Sequence, residues 1–350
     1  MMRIMLDKIA SAAKCSEIEN EVYVSDSITA REGYVVAVKV LNDKAVYNVL
    51  ENEQGRMTRV KSGDIIAGVL GHRRALMGYA GDVPDIINTG DRLNILNMGG
   101  VMGRCTSYAP DVGKPFEVEV LGAVLHFPYF GQRKGVPLCI SGSGNETDQS
   151  AACCVPVIAV LGTSMNAGKT VAACEIIHKL TRKGKKIAAA KVTGVALQRD
   201  VLNMKDHGAC EALSFVDTGV VSTDTENSAS SAREIISRLS MHRPDAIVLE
   251  FGDGILGEYG VKSILEGSSI VSAISSVVLC ANDPVSAWGG VKLLTETFNM
   301  NVTAITGPAT DNEVGKSFIR ESLGINPANA MNEPEELAGF VMEKVFENEQ

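Results

Sequence analysis

Two textures of hydrophobic patterning divide the chain. Up to about residue 140, short runs rich in β-branched residues are separated by Gly and Asp: "EVYVSDSI", "YVVAVKVL", "KAVYNVL", "DIIAGVLG", "RLNILNM" and "FEVEVLGAV". They predict strands joined by turns. "SGDIIAGVLG" from Ser62 and "TGDRLNILNMGG" from Thr89 resemble each other, as two copies of a Gly-Asp turn leading into a strand. The small polar residues of "SGSGNETDQSAA", 141–152, then read as a linker or long loop. Beyond it the apolar runs "VPVIAVLG", "KIAAAKV", "DAIVLEF", "SSVVLCA" and "NVTAITG" alternate with stretches expected as helices at about 169–183, 206–214, 229–240 and 289–299. The first helix keeps Val171, Cys174, Ile177 and Leu180 near one face and stops at Gly184.

This alternation predicts an α/β fold. Residues 152–350 are expected to form a doubly wound, mostly parallel sheet, and residues 1–145 a smaller β-rich, barrel-like domain before it. A length of 350 residues accommodates about two domains. Ligands of doubly wound sheets bind beyond the carboxyl ends of the strands, which directs attention to the residues that follow each run.

Composition narrows the class. With 45% hydrophobic and 21% charged residues the chain reads as an ordinary soluble protein. A formal net charge of -9 argues against a chain that coats nucleic acid or anionic membrane, so neither is expected as a partner. Asp7 and Lys8 interrupt the N-terminus before a signal-length apolar core forms, and no run approaches the roughly 18 apolar residues of a membrane span, so a cytoplasmic location is expected. The eight cysteines contain no Cys-x-x-Cys pair and the five histidines are dispersed, so no dedicated transition-metal site is expected.

The sharpest local signal is "VIAVLGTSMNAGKTVAACEII", 157–177, where a glycine-bounded loop joins an apolar strand to a helix. Backbone N–H groups of such a turn, continued by a helix N-terminus, offer fixed positive partial charge to phosphate oxygens. Gly162, Thr163, Ser164, Met165, Asn166, Ala167 and Gly168 would form the cradle, Lys169 would reach the β- and γ-phosphates, and Thr170 would hold Mg2+. The spacing departs from G-x-x-x-x-G-K-T by one residue: Thr163 stands at the first position and the glycine falls at Gly162.

Gly-Thr, four residues and Gly-Lys-Thr together resemble the P-loop of dethiobiotin synthetase and of related cobyrinate-type amidases, members of the signal-recognition-particle and MinD-like (SIMIBI) class of P-loop proteins. The resemblance covers about residues 155–315. "AAAKVTG" is similar to the family's second strand, with Lys191, Val192 and Gly194 in place and its proline missing. The resemblance implies a Mg2+-associated aspartate at Asp206, and "IVLEFGDG" places Glu250 beside the metal and the γ-phosphate. Lys169, Lys191 and Glu250 are then the catalytic candidates, with Thr170, Asp206 and Glu250 as metal ligands. The alternatives are that Lys191 caps a solvated strand end, Asp206 starts a helix, and Glu250 pairs with a nearby base. By strand order "TGPATDNEVGK" corresponds to the adenine-contacting segment, which makes Asn312 the candidate base reader with Asp311 behind it. No Asn-Lys-x-Asp is present to read guanine, and Asn282-Asp283-Pro284 is too short to replace it, which favours ATP.

The first domain offers paired arginines in "GHRRALMGYAG", Arg73 and Arg74, and Arg104 in "NMGGVMGRC". Two arginines can fork onto a carboxylate or phosphate, or stand as solvated surface charges. The reading is an enzyme that uses ATP and Mg2+ to activate a small anionic or amino-containing metabolite by phosphoryl transfer, as a ligase or kinase does. A nucleotide-switched assembly factor or metallochaperone and an acyltransferase using another phosphate-bearing donor are the alternatives. The resemblance also implies a homodimer, and residues after 152 are expected to bind nucleotide by themselves.

Overall fold

In the computed structural model, residues 1–129, 131, 134–140 and 155–347 are described. The segment expected as linker, 141–152, lies outside them, as do Cys153 and Cys154. The chain forms two compact units, and they do not part at a single point: Met1–Asn145 is joined in the first unit by Val195–Arg199 and Val216–Ser222.

Five strands of the first unit close on themselves. They are β1 (Val35–Val40), β2 (Ile65–Leu70), β3 (Arg92–Ile95), β4 (Val101–Tyr108) and β5 (Phe116–His126). β5 pairs with β1, β1 with β2, β4 with β3 and β3 with β5, all antiparallel, while β2 and β4 run parallel, so the ring is complete. Closure removes the exposed edges that an open sheet of these short strands would carry. Alternation fills the interior: Phe116, Val118 and Val120 of β5 are buried with Val36, Val38, Ile66, Leu93 and Met102, while Glu117 between them is exposed.

The two Gly-Asp turns are built alike. Gly63 (φ +94°) and Gly90 (φ +91°) take the left-handed conformation that favours glycine. Their N–H groups donate to Val40 O and Val120 O, both at 2.8 Å, and Asp64 O and Asp91 O accept from the N–H of the same two valines, both at 2.9 Å. Each aspartate also closes its own turn, Asp64 Oδ2 accepting from Lys61 N at 2.8 Å and Asp91 Oδ2 from Asn88 N at 2.7 Å.

The late segments are held in this unit by buried polar contacts. Asn97 Nδ2 donates to Ala196 O at 2.7 Å. The carboxylate of Glu51, wholly buried, accepts from Gln198 N at 2.6 Å and Arg199 N at 2.7 Å. Lys14 pairs with Asp217 at 2.7 Å. A fragment that starts after residue 152 therefore carries two segments stripped of these partners.

The second unit is a seven-stranded sheet. Its strands are β6 (Val157–Gly162), β7 (Ile187–Thr193), β8 (Ala212–Ser214), β9 (Ala246–Phe251), β10 (Ile274–Cys280), β11 (Ala304–Thr306) and β12 (Asn326–Pro327). They lie in the order β8-β7-β9-β6-β10-β11-β12 with every pair parallel. The helices are α1 (Lys169–Arg182), α2 (Arg199–Asp206), α3 (Ser228–Ser240), α4 (Pro284–Phe298), α5 (Glu313–Phe318) and α6 (Pro334–Met342), besides two short ones after β9. β6 and β9 are buried at every position, as expected of strands covered on both faces. Ile158, Val160, Val248 and Val278 pack with Ala172, Ile176 and Leu180 of α1 and Leu337 and Val341 of α6. Gly290 of α4 lies against Leu279, whose side chain points to the opposite face from Val278, so helices cover both sides. β6 sits where the strand order reverses, the position at which doubly wound sheets open a crevice.

Two expected helices are corrected. The stretch 206–214 is not a helix: α2 ends at Asp206, Gly208 follows at φ +102°, and Ala212–Ser214 pairs with β7 as an edge strand. The helix expected from 289 begins five residues earlier, because Asp283 accepts from Ser286 N at 2.8 Å in a capping box with Pro284 in the first turn.

Glu51→Ala removes the acceptor of the Gln198 and Arg199 N–H groups, the first of them buried, and is expected to lower stability by about 1–3 kcal/mol; urea denaturation of the full chain measures it.

Candidate functional site

The loop between β6 and α1 has the shape its composition requires. Asn166 (φ +59°) and Gly168 (φ +94°) turn the chain so that α1 starts at Lys169. Lys169 then folds back along the loop: a Cβ on Gly162 would stand 2.7 Å from Lys169 Cδ and 2.8 Å from Nζ, and Nζ donates to Ser164 O at 2.7 Å. The glycine is needed where the lysine stem crosses the strand end, which accounts for its place one residue before the usual spacing. Thr163 instead extends the strand, its N–H donating to Cys280 O at 2.9 Å. The loop is backed by close backbone approaches, since a Cβ on Gly307 would meet Ala167 O at 2.4 Å and one on Gly254 would meet Thr163 O at 2.7 Å. Asn282 Nδ2 holds Ser164 Oγ at 2.6 Å, whose hydroxyl lies 3.0 Å from Met165 O. Burial lowers the pKa of the Lys169 ammonium, against the pull of Glu250 and Asp253.

Carboxylates face this lysine from the ends of neighbouring strands. Thr170 Oγ1 donates to Glu250 Oε1 at 2.8 Å, joining the first turn of α1 to the end of β9. Glu250 is only 2% exposed, and its Oε2 has no hydrogen-bond partner. Burial raises its pKa, with Lys191, Thr170 and Lys169 holding it down and Asp200 adding to the rise. Lys191, at the end of β7, pairs with Asp200 in the first turn of α2. Three expected residues, Lys169, Lys191 and Glu250, thus share one electrostatic cluster with Thr170.

Asp206 does not belong to that cluster. It is exposed at the far end of α2, six residues and about 9 Å of helix beyond Asp200. The aspartate of α2 that reaches the cluster is Asp200, 7% exposed and paired with Lys191. The missed signal was the extent of the helix. The residues present fit Mg2+, because an orphaned carboxylate oxygen beside a threonine hydroxyl is the hard oxygen set that ion takes. Among the described residues there is no cluster of three or more His, Cys, Asp or Glu arranged to hold a metal ion.

Asn312 caps α5, its Oδ1 accepting from Gly315 N at 3.2 Å, and is exposed. Asp311 accepts from Asn329 Nδ2 at 3.0 Å, which ties the segment after β11 to the one after β12. The expected arginine fork does not form. Arg73 and Arg74 are neighbours on one strand, so their side chains leave opposite faces. Arg73 is 5% exposed and donates to Tyr47 Oη at 3.0 Å and to Leu96 O, as a core cation against the Tyr47 and Tyr79 rings. Arg104 pairs with Asp82 at 3.0 Å on the surface.

No protein-family model and no curated protein matches the chain. Solved structures share part of its fold. The signal recognition particle receptor FtsY from Elizabethkingia anophelis is 14% identical, with a TM-score of 0.39 over 53% of this chain and 64% of that one. A DUF1611 family protein from Anabaena variabilis is 14% identical, with a TM-score of 0.41 over 55% of this chain and 58% of that one. A ParA family ATPase from Chlorobium tepidum is 14% identical, with a TM-score of 0.33 over 55% and 93%. The match thus spans less than two thirds of the first two proteins. No helix among the described residues is long and apolar enough to cross a membrane.

A raised carboxyl pKa means that the folded protein favours the protonated form. In metal-free protein the Glu250 charge therefore costs nothing below the unfolded carboxylate range, about 4.3, and costs more as pH rises through the folded value. Glu250→Gln should melt at or above wild type without metal, by a margin that widens as pH rises, and should bind Mg2+ more weakly. Thermal melts across pH and a Mg2+ titration check both halves.

Proposed function

We propose that the second unit binds MgATP and transfers its terminal phosphoryl group to a small metabolite, as a ligase or kinase does. The observation that carries the reading is the arrangement at the ends of β6 and β9. A lysine lies over a glycine at the loop, and the next residue's hydroxyl is hydrogen-bonded to a buried carboxylate on the neighbouring strand. The resemblance of this loop to that of dethiobiotin synthetase supports the same class.

Loop N–H groups and Lys169 would bind the phosphate oxygens, displacing the ammonium from Ser164 O. Thr170 and Glu250 would hold the metal, and Lys191, restrained by Asp200, would add positive charge beside the γ-phosphate. Mg2+ bound there would neutralise charge developing on the phosphate oxygens. Adenine is favoured over guanine because Asn282 and Asp283 are already used, on Ser164 and as the cap of α4. Asn312 keeps its amide nitrogen for a base, its oxygen being committed to Gly315.

Lys169→Ala should leave the circular dichroism spectrum unchanged, weaken MgATP binding in calorimetry, and lower turnover by about 10²–10³-fold. Unchanged affinity and rate would remove the assignment. ADP formation that requires a metabolite supports the transferase. Slow hydrolysis without one supports a nucleotide switch, and turnover without any nucleotide supports another phosphate-bearing donor.

A further inference from the structure

The loop after β9 holds a second carboxylate that this reading leaves without a task. Asp253 lies three residues beyond Glu250 in a left-handed conformation, φ +68°, which a non-glycine residue adopts at a cost. It is 8% exposed, and neither carboxylate oxygen has a hydrogen-bond partner. The next residue's N–H, that of Gly254, pulls on it electrostatically but outside hydrogen-bond geometry. The surrounding loop is shaped around the group. A Cβ on Gly257 would stand 2.2 Å from Asp253 Oδ2, and Ile255 N donates to Gly162 O at 2.9 Å, which pins the loop to the strand end under Lys169. Buried charge without a partner and backbone strain at one residue both oppose stability, and the two together mark a group that a ligand completes.

Its place relative to the lysine is specific. Lys169 responds to both Glu250 and Asp253. Burial acts first on both; beyond it the groups acting on Glu250 are Lys191, Asp200, Thr170 and Lys169, whereas the charged groups acting on Asp253 are Lys169 and Glu258. Glu250 thus meets the site through Thr170, the next residue along α1, at 2.8 Å, while Asp253 belongs to the loop whose Ile255 N is bonded to Gly162 O, the glycine over which Lys169 lies.

Resting on the phosphoryl-transfer reading above, we propose that Asp253 accepts the proton of the nucleophile that attacks the terminal phosphate, and that this nucleophile is a hydroxyl, an amine or, in the absence of substrate, water. The nucleophile's lone pair forms the bond to the γ-phosphorus while its proton passes to the Asp253 carboxylate. The bond from phosphorus to the β–γ bridging oxygen breaks, its electron pair leaving on the diphosphate beneath Lys169. A carboxylate acceptor is disfavoured, because it has no proton to give and would be repelled.

The test uses the full chain with MgATP and water as acceptor. Asp253→Asn should keep wild-type MgATP affinity and Mg2+ dependence, lower hydrolysis by about 10²–10⁴-fold, and remove the acidic limb of the rate profile, with partial rescue by Asp253→Glu. Burial pushes the Asp253 carboxyl up, so the nucleotide-free Asp253→Asn protein should also melt higher than wild type, by a margin that grows as pH rises through the carboxylate range. If wild-type hydrolysis is too slow to follow, MgADP with aluminium fluoride replaces it: wild type should bind the pair more tightly than MgADP alone, and Asp253→Asn should not. Wild-type rates with an unchanged profile, or a loss of Mg2+ affinity matching that of Glu250→Gln, would overturn the assignment of Asp253. A wild-type protein that binds no MgATP would instead overturn the phosphoryl-transfer reading beneath it.

Discussion

The second unit is organised around an ammonium group taken out of water. Lys169 is 6% exposed, and a buried cation is costly unless its surroundings answer it. The loop answers with one carbonyl, that of Ser164, and the adjoining strand end answers with carboxylates that are themselves incompletely bonded. Charges of both signs gather at the carboxyl ends of β6, β7 and β9, and the close glycine contacts around the loop keep side chains out of the space beside them, as the proposed binding of a phosphate ester and its counter-ion requires.

Much of this was legible in the chain, because continuous apolar runs in a doubly covered parallel sheet are hard to mistake. The runs ending at Gly162, Phe251 and Cys280 became strands, and α1 began at the lysine. The edge strands Ala212–Ser214 and Asn326–Pro327 are too short to show a period, and they are defined by their neighbours and not by their own residues. α2 was placed too late because Asp206 looks like a helix start, whereas the turn that matters is Gly208 at the end. Reading "DPVS" as an aspartate cap followed by proline would have put the start of α4 at Pro284.

The site was harder to read where chemistry depends on burial. Nothing in "GHRRALMGYAG" separates an arginine that faces solvent from one stacked on two tyrosines, since adjacent strand residues differ only in the face they take. Asp253 carried a faint signal, an acidic residue between two glycines directly after an apolar strand, but its conformation and lack of partners appear only in three dimensions. Glu51 carried none, because its partners are backbone N–H groups nearly 150 residues away along the chain.

That last distance shapes how the molecule is made. The first unit contains residues as late as Ser222, and β6 finds its neighbours only in β9 and β10, so both assemblies depend on contacts between parts of the chain synthesised far apart. On a ribosome the strand ring of the first unit would emerge complete in sequence yet lack two of its own segments, and nascent β6 would wait unpaired for roughly ninety more residues, several seconds or more at ordinary translation rates. Maturation of the two units is thus interleaved in time: the first is not complete until Ser222 has been made, by which point the first strands of the second are already waiting.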